Sequence, residues 1–119
     1  IDNLFILSRN NKDLDKVDKL CISYRKLTIH KSKGLQSDYV FIIGLNNNQN
    51  GFPNKVKDNE ILKYVNNYKE YFPYEEERRL FYVALTRCKK KVYLFVSKEN
   101  ESIFIKEMKR YKNVQIREK

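Results

Sequence analysis

The run DYVFIIGL (Asp38–Leu45) decides the fold. Val, Ile and Phe follow one another almost without interruption, the pattern of a central strand buried on both faces, as in parallel sheets covered by helices. The residues after it, NNNQNGFPN (Asn46–Asn54), concentrate Asn, Gly and Pro. They break the strand into a loop that faces solvent or ligand.

Upstream, NLFILSR (Asn3–Arg9) is a short apolar run with polar flanks, and KLCISYRKLTIH (Lys19–His30) alternates as a partly buried strand ending near Thr28. Downstream, KDNEILKYVNNYKEY (Lys57–Tyr71) offers a short helix. Pro73 then introduces EEERRLFYVALTR (Glu75–Arg87), whose clustered Glu75, Glu76 and Glu77 suit a helix N-terminus. Leu80, Val83 and Ala84 form its apolar face, and Lys89, Lys90 and Lys91 close it at the carbonyl end. KVYLFVS (Lys91–Ser97) reads as a strand, ESIFIKEMKRY (Glu101–Tyr111) as a helix, and NVQIRE (Asn113–Glu118) has room for a last short strand. Strands interleaved with helices make a layered α/β domain.

The chain has 119 residues, enough for one core and no second domain. It opens on Ile1 with no secretory signal pattern, and is read as a piece of a longer polypeptide. No apolar run reaches the roughly 20 residues of a membrane span. Cys21 and Cys88 are far apart and lack metal-ligand spacing, which favours packed, reduced thiols and a cytoplasmic setting. A net charge of +10 suits a polyanionic partner, nucleic acid or nucleotide phosphate. The abundance of Lys, Asn, Ile and Tyr together also fits a compositional bias with much of the lysine as solvated surface.

Two segments are chemically crowded. TIHKSKGL (Thr28–Leu35) places one histidine, two lysines, two hydroxyls and a glycine between two strands. Glycine lets backbone approach a ligand and lysine donates to phosphate, although the same residues also make an ordinary turn with exposed lysines. No Walker A pattern occurs, so the chain carries no complete nucleotide site. His30 has no second ligand at metal spacing, which leaves a hydrogen-bonding or packing role. Arg87 stands at the end of a helix fixed by its apolar stripe. It either caps that end from the surface or presents a planar, permanently charged fork to phosphate oxygens across a domain boundary.

Taken in order, TIHKSKGLQSDYVFIIGL (Thr28–Leu45), NGFP (Asn50–Pro53) and EEERRLFYVALTR resemble motif V, the loop after it and motif VI of the UvrD/Rep group of superfamily 1 DNA helicases. The likeness runs across most of Leu4–Met108, with motif V at about 27–45 and motif VI at about 75–90. KGLQSDYV, NGFP and KENESIF look most like the helicase IV branch. The resemblance implies a RecA-like (P-loop NTPase-type) layered fold with a mostly parallel sheet, and residues 1–119 as the C-terminal portion of the second motor domain. In this group two such domains clamp ATP between them and drive along single-stranded DNA, usually 3′ to 5′.

By that resemblance Arg87 is the arginine finger, and Lys33, Gly34 and Gln36 belong to the ATP side, Gln36 standing where glutamate is usual. Thr28 and His30 link the ATP cleft to the DNA track, and Arg9 and Asn11 of LSRNN (Leu7–Asn11) approach the DNA backbone. Cys88 replaces a customary alanine. The implied partners are single-stranded DNA and the first RecA-like domain of the same polypeptide, with no membrane. The implied cofactors are ATP and Mg2+, bound mainly by that absent domain, with no metal held by this piece and no ATP hydrolysis by it alone. A non-catalytic DNA-binding module built on a degenerate motor domain is the alternative. A protein-interaction domain using its basic face is a third reading, one that would not depend on Arg87.

Overall fold

The computed structural model describes residues 3–17, 23–48, 51–54, 74–111 and 114–116. Strand β1 (Leu4–Ser8) has all five side chains buried, as an unbroken apolar run at the centre of a sheet requires. Helix α1 (Asn11–Asp15) follows, then β2 (Arg25–Thr28), a 3-10 turn (His30–Ser32) and β3 (Ser37–Ile42). Helix α2 (Glu75–Leu85), β4 (Cys88–Leu94), a second 3-10 turn (Lys98–Asn100) and α3 (Ile103–Met108) complete the order. The sheet runs β2-β1-β3-β4 with all three pairings parallel. This is the α/β, RecA-like arrangement expected of the chain.

Side-chain alternation along the strands splits the core in two. Phe5, Leu7, Leu27, Val40 and Ile42 meet Leu80, Phe81 and Ala84 of α2 and Phe104 and Ile105 of α3. On the other face Leu4 and Ile6 gather around Leu14 of α1. Three phenyl rings lock the first layer: Phe52 lies edge-on to Phe81 at 5.6 Å and to Phe104 at 5.5 Å, while Phe81 and Phe104 stack at 5.1 Å. Arg78 ties α2 to α3 through two bonds to Glu107, at 2.6 and 2.9 Å, and lies over the Phe104 ring. Those bonds hold the Glu107 carboxyl below its ordinary range.

Several expectations are corrected. The loop after β3 does not simply face outward, since Gly51, Phe52 and Pro53 are buried. The Phe52 ring fills the space between α2 and α3, and its carbonyl accepts from Ser102 Oγ. A side chain at Gly51 would collide with the carbonyl and side chain of Asn46, so only glycine lets the loop fold back here. Strand β3 is fully covered on one face only: Val40 and Ile42 are buried, whereas Tyr39 is 38% exposed and Phe41 half-buried. On that second face α1 is joined by Val17 and Tyr24, and its single buried residue, Leu14, packs with Leu4 and Ile6 of β1.

The basic run Lys89, Lys90 and Lys91 does not close the helix but lies exposed in β4. The helix stops earlier because Thr86 Oγ1 donates to Val83 O at 2.8 Å and Ser37 N donates to Arg87 O at 3.0 Å, drawing the chain into the sheet. Lysines on an outer strand discourage pairing with another chain. Val114–Ile116 carry no strand, and α1 was not anticipated from the sequence. The helix expected over Lys57–Tyr71, together with Pro73 and Cys21, falls outside the described residues, and Cys88 is a half-buried free thiol. No helix of the described residues is long and apolar enough to cross a membrane.

Phe52→Ala would remove the central ring of the triad from a fully buried site. It is expected to lower unfolding free energy by about 3–5 kcal/mol, read from the urea midpoint at constant slope.

Candidate functional site

Because α2 runs beside the sheet with its apolar stripe fixed, its two ends are placed at opposite edges. The edge where β3 and β4 begin holds Arg87. Its Nε donates to Val83 O at 3.1 Å, Nη1 to Leu35 O at 3.2 Å and Nη2 to Thr86 Oγ1 at 3.0 Å. All three acceptors are neutral, and among the described residues no carboxylate pairs with this guanidinium. Its positive charge is therefore held in place without being cancelled, which suits it to an incoming anion.

Gln36 is exposed and lies between two contacts of the same arginine, Leu35 O receiving Nη1 and Ser37 N donating to Arg87 O. The structure thus brings Arg87 and Gln36 to one edge although they are 51 positions apart in sequence (87 − 36). Gly34 adopts φ +83 with open space where a Cβ would stand, so glycine serves the turn itself and not a close contact. Leu35 N donates to Ser32 O at 3.0 Å, and Ser32 Oγ donates to Ile29 O at 2.6 Å, which fixes the turn entering β3.

The opposite edge, where β1 and β2 end, gathers Arg9, His30, Lys33 and Glu77. Arg9 Nε donates to both carboxylate oxygens of Glu77, at 3.0 and 3.2 Å, and Asn54 N donates to Glu77 Oε1 at 2.6 Å. His30 is exposed, not packed. The little desolvation its ring does undergo, followed by the positive charges of Arg9 and Lys33, lowers its pKa, while Glu77 opposes the shift. Lys33, expected on the ATP side, is therefore within electrostatic reach of the His30 group. Thr28 is buried and its Oγ1 accepts from Lys31 N at 3.4 Å, which makes it a brace for the turn. Asn11 is exposed at the first position of α1.

Glu77, Asn54 and Thr86 were not foreseen as site residues. For Glu77 a signal was present: Leu80, Phe81 and Ala84 follow it by three, four and seven positions, so it lies on the buried stripe. The Glu77 side chain is only 14% exposed, against 75% for Glu76.

The folded His30 pKa lies below the ordinary 6.5, so the unfolded chain takes the proton first and stability falls as pH drops through the window below 6.5. His30 is the only histidine of the chain, and its imidazole titration by NMR is expected to show a midpoint below 6.5. Glu77→Gln, removing a neighbour that raises it, is expected to move that midpoint lower still.

Comparison with known proteins identifies the family. The UvrD-like helicase C-terminal domain matches residues 4–100. DNA helicase IV of Escherichia coli is 45% identical over 83 residues, 70% of this chain and 12% of that protein. A probable DNA helicase II homolog of Mycoplasma capricolum is 35% identical over 104 residues, covering 87% of this chain and 12% of its own length. The ATP-dependent DNA helicase PcrA of Leuconostoc citreum is 34% identical over 82 residues, 69% of this chain and 9% of that protein. The chain thus spans about an eighth or less of the length of these relatives. With the match covering nearly the whole sheet and α2, the chain belongs to the UvrD-like helicase C-terminal domain family.

Proposed function

We propose that residues 1–119 are the C-terminal portion of the second RecA-like domain of an ATP-dependent DNA helicase, and that this portion supplies the arginine finger and part of the single-stranded DNA track. The observation that carries the reading is the Arg87 guanidinium, fixed beside Gln36, among the described residues, by neutral acceptors alone. Such a cation stabilises the negative charge that builds on a transferring phosphoryl group, and it needs no rearrangement at the moment of reaction.

ATP fits this edge. Arg87 would meet the γ-phosphate, and Gln36, with both a donor and an acceptor, a ribose hydroxyl. Mg2+ would neutralise phosphate charge when ATP is bound, held mainly by the first motor domain. Glycine at position 34 keeps the loop beside Gln36 in its turn. The other edge, with Arg9 and His30 exposed or half-exposed above a cationic surround, suits a phosphate backbone read without regard to sequence. Directional travel, by analogy 3′ to 5′, follows from opening and closing against the first domain.

Two outcomes are expected. In the full-length protein Arg87→Ala lowers the turnover of DNA-stimulated ATP hydrolysis by about 10³-fold or more with the fold retained, as loss of a finger does elsewhere. Wild-type turnover in that variant would remove the assignment. The chain by itself hydrolyses no ATP and binds single-stranded oligonucleotides weakly, with affinity falling steeply as salt rises because the contacts are to phosphates. Binding that ignores salt or selects one sequence would point to another kind of module.

A further inference from the structure

Arg9 follows β1 directly, and in the order β2-β1-β3-β4 the chain moves from one side of β1 to the other, which opens a crevice beyond the carboxyl ends of β1 and β3. Ligands of open α/β sheets bind in that crevice. Among the described residues the arginine there is engaged along one edge only. Nε donates to both oxygens of Glu77, and among the described residues no acceptor meets Nη1 or Nη2. Glu77 is itself immobilised, by the Asn54 amide at 2.6 Å and by its place on the buried stripe of α2. A guanidinium held by Nε keeps its four terminal N–H groups for an anion, in a planar fork that matches two phosphate oxygens. The neighbourhood is cationic, since Arg9 and Lys33 both bear on His30.

We propose that Glu77 is a positioning residue for nucleic-acid binding: it does not touch the strand, but it orients Arg9 so that the terminal nitrogens grip one phosphate of a single-stranded DNA backbone. The proposal rests on the helicase reading above and adds to it the residue that sets the grip. It inverts a simple charge argument. Removing an acid from a cationic edge should strengthen binding to a polyanion through the overall field, whereas loss of an orienting acid weakens it.

The test titrates a labelled oligothymidylate onto the full-length polypeptide that contains this chain, across a range of salt concentrations. Arg9→Gln is expected to weaken binding about tenfold, as loss of a charge-assisted bond does, and to flatten the slope of log affinity against log salt by about 0.7. Glu77→Gln, which keeps an oxygen for the Asn54 amide, is expected to weaken binding by a similar factor. The double variant should be no weaker than Arg9→Gln alone, because both changes remove one contact. Arg9→Lys keeps the charge but lacks the Nε edge, and is expected to bind as weakly as Glu77→Gln. Glu77→Gln binding as tightly as wild type or tighter, a double variant in which the two losses add, or full recovery by Arg9→Lys would each overturn the proposal. A wild-type protein that does not bind the oligonucleotide at all would overturn the helicase reading, and the proposal with it.

Discussion

The constraint on which the rest depends is the burial of one stripe of α2. Leu80, Phe81 and Ala84 press against the sheet and against Phe52 and Phe104, and this leaves the helix no freedom to roll or slide without opening a close-packed layer. Eleven residues of helix span about 16 Å at 1.5 Å per residue, close to the height of the sheet. Both ends of the helix are therefore set by the same apolar contacts. Glu77 arrives at one edge of the strands and Arg87 just past the other.

The two ends are electrostatically unlike. Arg9 is paired with a largely buried carboxylate, so its charge is partly compensated and its orientation fixed. Arg87 rests on two carbonyls and a hydroxyl, so its orientation is fixed and its charge is not offset by an acid among the described residues. Under the proposed function the first arrangement would serve repeated, moderate contacts with a polyanion, and the second a strong interaction with phosphate charge. A rigid rod between them holds the two arginines at a set separation.

Much of this was legible from residue order. The apolar runs marked β1 and β3, the acidic cluster marked the start of α2, and TIHKSKGL fell between two strands as read. What escaped depended on partners distant in sequence. Phe52 looks like part of a solvent loop until Phe81 and Phe104 close around it. Lys89, Lys90 and Lys91 look like a helix end because the pairing of Arg87 O with Ser37 N, which pulls them into β4, joins segments 50 residues apart (87 − 37). A five-residue helix with one buried side chain leaves no periodicity to read, which is why α1 was missed. Glu77 could have been singled out, because an acid in register with an apolar stripe must find a partner when buried.

The most direct test of the account compares full-length wild-type and Arg87→Ala protein for binding of ADP and of ADP with aluminium fluoride, which mimics the phosphoryl group in flight. A preorganised cation aimed at developing charge contributes to the second complex and little to the first. Near-unchanged ADP affinity and a loss of about a hundredfold or more in preference for the analogue are expected. An unchanged preference would show that Arg87 is a structural clasp on Leu35 and Val83, and would contradict the central claim.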